Sequence, residues 1–448
     1  MRRGAFLFSF FMAGLWVSLR LGSLLGLPSL PYQEFLVFLP ALALAVPVWI
    51  NRRDFSHRLP ILLCIIWPLV ALLWVDPTER GRGVVVPMTL LFSALIGSAM
   101  ARHKLMESGA RAFIVGTLIS LAGLFFISRG TLAGSQRLGS VFGEESIIVN
   151  PNVVAINLVL ASYLGVYVVN CIRRRQNTVK VQYSGDLVCW LLATILCAGS
   201  VVLTGSRGGI VGMTLMFFVL LFMNGHWTAR VISSRIAVLF VFLGAGYLAI
   251  NYIEGIAARV SDTDKLASLS DRVPIWQAGY YVLSIDDSVI YWGVGTGGVH
   301  KRLGEEMGEG LRGADGVLRR SPHNSYLEWA MSLGLPGIVL GGWLAFTLCR
   351  RAFLLDRREL RTERMALLTY CFTHAMSTTI HTSPFSVPLF AMVMALVCQP
   401  VLFEAPEETV ATNKARGRKR KKNRALHPYP AHQLPCEAFA SRPWPSKQ

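Results

Sequence analysis

"LVCWLLATILCAGSVVLTGSRGGIVGMTLMFFVLLFM", Leu187 to Met223, is apolar throughout except for one charged residue, Arg207. A helix needs about 20 apolar residues to cross a bilayer. This stretch is long enough for two crossings, and "LTGSRGGIVG" (Leu203–Gly212) interrupts it near the middle. A guanidinium at mid-bilayer costs roughly 2.5–3.5 kcal/mol on insertion scales, so Arg207 belongs where the chain surfaces. The stretch therefore reads as two membrane spans joined by a tight turn. Two readings of the arginine stand side by side. It can snorkel to lipid headgroups, or it can hold an anion, since a guanidinium pairs with phosphate oxygens. Glycines at 205, 208 and 209 free backbone N–H groups to face such an anion, which favours the site.

The rest of the chain has the same character. Of 448 residues, 53% are hydrophobic and 16% charged, against about 25% charged in a soluble domain. Apolar runs at 5–27, 33–50, 59–75, 84–100, 112–128, 152–172, 187–204, 208–223, 236–253, 325–348, 365–381 and 384–402 predict an all-α polytopic protein of about twelve spans. The first run follows Arg2 and Arg3 and is long enough to stay as an anchor. Basic residues cluster on alternate connectors, at Arg52/Arg53/Arg58, Arg102/Lys104/Arg111, Arg173/Arg174/Arg175, Arg230/Arg235 and Arg350–Arg364. The positive-inside rule then places both termini in the cytoplasm. Residues 1–403 form the membrane domain, and 404–448 a basic cytoplasmic tail expected to lack a fold of its own.

The net charge of +18 follows from this arrangement and does not imply nucleic acid as a partner. "KARGRKRKKNR" (Lys414–Arg424), just after the last span, fits an orientation signal that touches anionic membrane lipids. None of the eight cysteines falls in an outside loop, so no disulfide framework is expected. The span interiors carry few ionisable residues, chiefly Arg20 near one outer end and His374 in the eleventh run, which argues against an ion-coupled transporter. No metal or cofactor is expected. "DTD" (Asp262–Asp264) is too short a match to imply a metal, and "GVGTGG" (Gly293–Gly298) lacks the preceding strand a dinucleotide site needs.

Two outside segments are substantial: Ser128–Pro151 and a large loop at about 254–324. In the loop, Val273, Trp276, Tyr280 and Leu283 recur at helical spacing and predict an amphipathic helix lying on the outer bilayer surface. The glycine-rich stretch from Gly293 to Gly316 reads as a mobile lid or substrate clamp. "RRSPHNSYLEWAMSLGLPG" (Arg319–Gly337) then opens the tenth span, with Ser321 as N-cap, Pro322 as first helical residue and His323 in the first turn. A helix dipole there disfavours the imidazolium, and a neutral imidazole can serve as a general base. A lone interfacial histidine is more often structural, and His300 and His381 are the other outside histidines. Only His323 has a helix start and a polar Asn324 beside it.

Four stretches in order resemble the O-antigen ligase/polymerase family of bacterial inner-membrane proteins. They are "RLGSVFGEESIIVNPNVVA" (Arg137–Ala155), "GSRGG" at a span end, "DRVPIW" (Asp271–Trp276) followed by "GVGTGG", and "HNSYLEWAMSLGLPG" (His323–Gly337). The resemblance covers roughly residues 60–400, and the chain departs from the family's compact spacing by "EESIIV" between Gly143 and Asn150. It implies a GT-C-like glycosyltransferase architecture with a periplasmic active site. The implied reaction moves a glycan from undecaprenyl diphosphate to an acceptor hydroxyl, inverting and without metal. The resemblance further implies that Arg207 and Arg272 hold the diphosphate, with help from Arg137, and that His323 stands at the family's essential histidine. Ser206, Asn324 and Tyr326 would support them. A ligase, with undecaprenyl diphosphate-linked O-antigen as donor and lipid A–core as acceptor, is the expectation. An O-antigen or exopolysaccharide polymerase, a protein O-oligosaccharyltransferase and a lipid-linked oligosaccharide flippase remain alternatives.

Overall fold

The computed structural model describes residues 2–19, 33–50, 59–128, 151–179, 184–223, 272–312, 316–354, 358–378 and 386–398. All belong to one compact unit, Met1–Gln399. The run at 236–253, Arg20, Arg137, Asp262–Asp264, His381 and the basic tail lie outside the described residues.

Each apolar run within the described residues coincides with a helix. In chain order these are α1 (Arg2–Leu19), α2 (Leu39–Ile50) after a 3-10 turn, α3 (Leu59–Ala71), the short α4 (Arg80–Gly83), α5 (Val85–Arg102) and α6 (Met106–Ser128). Then come α7 (Pro151–Val179), α8 (Ser184–Leu203) and α9 (Arg207–Phe222). The large loop contributes α10 (Arg272–Ile285), α11 (Asp287–Trp292), α12 (Val299–Met307) and a two-stranded ladder, β1 (Leu311–Arg312) with β2 (Leu318–Arg319). The chain continues through α13 (Ser325–Phe353), α14 (Arg358–Ala375) and α15 (Val387–Cys398). Five segments are long and apolar enough to cross a membrane: Arg80–Arg102, Met106–Phe126, Pro151–Gln176, Gly185–Leu203 and Ser325–Phe353. Several shorter apolar helices accompany them. The chain is an all-α, multi-pass membrane protein.

Helices in lipid gain little from excluding water, so close packing and small residues hold them together. α1 lies on α6, α5 on α15, α7 on α8 and α9 on α14. At the first of these contacts a Cβ on Gly14 would stand 2.3 Å from Phe113 O, and one on Gly116 would stand 2.1 Å from Phe11 O. At the arginine-rich end of α7, the buried Glu363 of α14 accepts from Asn170 Nδ2 at 2.9 Å and pairs with Arg174. The opposite end of α7, at Pro151 and Asn152, faces the turn that carries Arg207.

The large loop builds a lobe with its own core. Ile275 and Val282 of α10, Val289 of α11 and Val299 and Leu303 of α12 pack on Leu327 and Met331 of α13. This corrects the predicted face of the first loop helix. Ile275, Gly279 and Val282 are its buried residues, whereas Tyr280, Tyr281 and Ile285 are exposed. Trp276 and Leu283 lie half-buried at the edge of the core. A helix apolar on most sides has no decisive phase, and Gly279 sets it here: a Cβ there would stand 2.7 Å from Leu327 Cδ2.

The glycine stretch also differs from the expected lid. α13 breaks at Gly334 (φ 60°), two residues before Pro336. Proline has no N–H to give to Ser332 O, and a freed carbonyl inside apolar surroundings costs several kcal/mol on the order expected for membranes. The glycine loop repairs the break. Val294 N donates to Met331 O at 2.8 Å and Gly295 N to Ser332 O at 3.0 Å, while Trp67 Nε1 donates to Leu333 O at 3.1 Å. Thr296 Oγ1 donates to Pro68 O at 2.8 Å, and Gly295 and Gly297, both at positive φ, approach the backbone of residues 71–83 too closely for any Cβ. The Gly293–Gly298 loop is a packed splice between α13 and the α3–α4 segment.

Candidate functional site

The site forms where three helix starts converge: α9, α10 and α13. α8 closes with Gly205 at φ 59°, and Ser206 takes an extended conformation as N-cap of α9. Ser206 Oγ accepts from Gly209 N at 3.2 Å and donates to Asn152 Oδ1 at 2.9 Å. That second bond ties the turn to the start of α7, so Asn152 is a supporting residue that sequence reasoning did not single out. It stood in plain view in "NPN", but its partner lies 54 positions away. Arg207 follows as the first residue of α9, half-buried.

Arg272 is the first residue of α10. Burial lowers the proton affinity of its guanidinium below the ordinary value, and the charge of Arg207 lowers it further. The two arginines are therefore near neighbours although 65 positions separate them in the chain.

His323 departs from its predicted place. The N-cap of α13 is Asn324, whose Oδ1 accepts from Tyr326 N at 3.0 Å and Leu327 N at 3.2 Å. Ser321 instead accepts from His323 N at 3.4 Å, and Pro322 O accepts from Trp276 Nε1 at 3.0 Å. His323 thus precedes the helix and sits at φ 48°. A non-glycine residue held there stores strain of roughly 1–3 kcal/mol. The imidazole pKa falls to about 4, by burial first and then by the charges of Arg272, His300 and Arg320, with Glu328 opposing. The expected neutral imidazole is present, but burial and neighbouring cations cause it, rather than a helix dipole.

Other groups close the site. Tyr326, half-exposed, donates its hydroxyl to Phe372 O at 2.9 Å, and Ser325 Oγ donates to Thr378 O at 2.7 Å, so the start of α13 is fastened to the end of α14. His374 of α14 is 1% exposed and lies against Gly208, directly behind the arginine turn. Sequence inspection marked it only as a rare ionisable residue in a span. His300 Nε2 of α12 lies 3.3 Å from Glu328 Oε1. Below the site, an apolar cavity of about 500 Å³ runs between α10, α13 and α14, lined by Tyr280, Leu283, Tyr326, Trp329 and Phe372 among others.

The convergence joins two guanidiniums, a group type that pairs with phosphate oxygens, with a neutral imidazole and an apolar cavity. Such a set suits an amphiphilic anion and a proton transfer at the membrane surface. No curated protein matches the chain. Residues 192–341 match the family model described as O-antigen ligase, a segment that includes Ser206, Arg207, Arg272, His323, Asn324 and Tyr326. From α8 to the middle of α13, the segment that builds this site, the chain is similar to the O-antigen ligase family.

Proposed function

We propose that the protein is an O-antigen ligase of the bacterial inner membrane. It transfers polysaccharide from undecaprenyl diphosphate to a hydroxyl of the lipid A–core at the periplasmic face. The observation that carries this reading is a run of neighbours: Arg272 feels the charge of Arg207, His323 feels that of Arg272, and Trp276, one turn along α10, bonds to Pro322 O beside His323 at 3.0 Å. Two guanidiniums repel each other in the free protein, and a diphosphate between them turns that repulsion into two charge-assisted contacts. His323 takes the proton from the acceptor hydroxyl as its oxygen attacks the anomeric carbon. The bond from that carbon to the diphosphate breaks, and the arginines meet the charge that develops on the leaving oxygen. Attack opposite the leaving group inverts the anomeric configuration. The arginines supply the charge a metal would otherwise supply, so the reading is of metal-independent transfer.

Arg137 adds a third contact to the diphosphate in this reading, while Ser206, Asn324 and Tyr326 hold the machinery in place. The cavity beside Tyr326 receives the start of the prenyl chain. The catalytic domain spans 1–403, with about twelve membrane helices in a GT-C-like arrangement and both termini cytoplasmic, and 404–448 is a cytoplasmic tail. The test is a lipopolysaccharide gel from a strain lacking the gene, run beside an assay of its undecaprenyl-linked glycans. The expected result is core without a ladder and long glycans stranded on the carrier. Core capped with one repeat, and single repeats on the carrier, would instead assign a polymerase. An unchanged ladder would overturn the reading.

A further inference from the structure

Three parts of the lobe are fastened to the end of α3 and the connector that leads to α4. The glycine loop is held by Thr296 Oγ1, which donates to Pro68 O at 2.8 Å, and by Trp74 Nε1, which donates to Gly293 O at 3.2 Å. α12 is held by Lys301 Nζ, 2.6 Å from Asp76 Oδ2. β2 is held by Arg319, whose Nε and Nη2 donate to Glu79 Oε1 at 2.8 and 2.6 Å. The last of these is the most deeply buried, with Glu79 fully enclosed and the Arg319 side chain 9% exposed. A buried ion pair adds little to stability over an apolar pair of the same volume, because desolvation offsets the attraction. What it supplies is a fixed place for the segment that carries it.

That segment leads straight to His323. After Arg319, Arg320 N donates to His300 O at 2.8 Å, Ser321 Oγ accepts from His323 N at 3.4 Å, and Pro322 O accepts from Trp276 Nε1 at 3.0 Å. His323 sits at φ 48°, a conformation that persists only where the surroundings over-determine it. Among these pins, Arg319 is the one that reaches beyond the lobe, to the segment that joins two membrane helices. We propose that Glu79, acting through Arg319, is a positioning residue that holds the histidine loop at the place where its ring meets the acceptor hydroxyl. This rests on the transfer reading above. Glu79 lies outside residues 192–341, so the family match does not bear on it.

The test uses the full chain in lipid nanodiscs, with an undecaprenyl diphosphate-linked glycan and lipid A–core as the probe pair. Glu79→Gln should lower kcat roughly 10- to 100-fold, the effect of misplacing a catalytic group by about 1 Å, and leave the KM for donor unchanged. Glu79→Asp, which keeps the charge, should recover part of the loss. The His323 ring is held near pKa 4 by burial and by Arg272 of α10, His300 of α12 and Arg320, against Glu328 of α13. A loosened loop relieves that burial, so the acid limb of kcat/KM should rise from about 4 towards 6.5. Glu79→Gln leaves a guanidinium buried alone, so Glu79→Leu with Arg319→Met is the companion variant. It removes both charges and should stay folded, yet show the same loss of kcat and the same raised limb. Wild-type kcat with the limb still near 4 in the paired variant, or transfer that falls only in step with the folded fraction, would overturn the proposal. Titration of the His323 ring by NMR should show the same rise without any transfer. A wild-type protein that binds donor and transfers nothing would therefore sink the transfer reading and leave the titration to judge Glu79.

Discussion

Replacing Arg207 by lysine keeps the charge but removes the planar fork that engages two phosphate oxygens at once. Transfer should fall by roughly 10- to 100-fold, the worth of one charge-assisted bond of about 1.5–3 kcal/mol, with normal membrane insertion. Near-normal transfer from Arg207→Lys would leave only the headgroup-snorkelling role. At His323, the pKa near 4 lies below the ordinary 6.5. The base is therefore unprotonated across the neutral range, and kcat/KM should stay level from pH 8 down to about 5 and fall only near 4. The same depression makes the unfolded chain bind the proton first, so stability is lost as pH falls from 6.5 towards 4. A rate limb near 6.5 would mean that the ring is exposed in the working enzyme. Arg207 and His323 were legible in the sequence because each breaks a local pattern: a charge inside an apolar run, and a polar pair at a span start. Asn152, Glu328 and the placement of His374 behind Gly208 were not, since each is defined by a partner far along the chain.

At the scale of elements, helices were legible from apolar length, whereas faces and joints were not. The phase of α10 depends on Leu327 closing over Gly279, a contact between segments that sequence periodicity does not see. The glycine loop misleads for a related reason. Glycine is used both where a chain must move and where two backbones must touch, and composition does not separate the two. Here the broken α13 needs donors for Met331 O and Ser332 O, and the loop supplies them. Two alanine substitutions separate a splice from a lid. Gly308 and Gly297 both lie at positive φ, but a Cβ on Gly308 meets nothing within 4 Å, whereas one on Gly297 would stand 2.5 Å from Glu79 O. Gly308→Ala should cost about 1 kcal/mol of strain and leave transfer near wild type. Gly297→Ala must displace backbone as well, so it should lower the thermal inactivation midpoint clearly further and reduce transfer with it. Equal midpoints for the two variants would return the loop to the role of a lid.

For the molecule as a whole, the reading depends on which side of the membrane the lobe occupies. Arg207, Arg272 and His323 share one end of the helices, and the Arg174–Glu363 and Arg175–Glu107 pairs hold the other. The distribution of basic residues puts that second end in the cytoplasm. In the proposed topology the lobe then lies outside, where no nucleotide-activated sugar is at hand and a lipid-linked donor would be the available form of an activated glycan. Orientation and donor chemistry thus stand together. Two single-cysteine substitutions at exposed positions test them: Glu309→Cys in the lobe and Arg102→Cys at the end of α5. In intact cells with a permeable outer membrane, an impermeant maleimide should label the first and spare the second, and lysis should expose the second as well. Labelling of Arg102→Cys but not Glu309→Cys would invert the topology, placing the arginines and His323 on the side where polyprenyl-linked glycans are begun rather than consumed, and the ligase reading would fall with it.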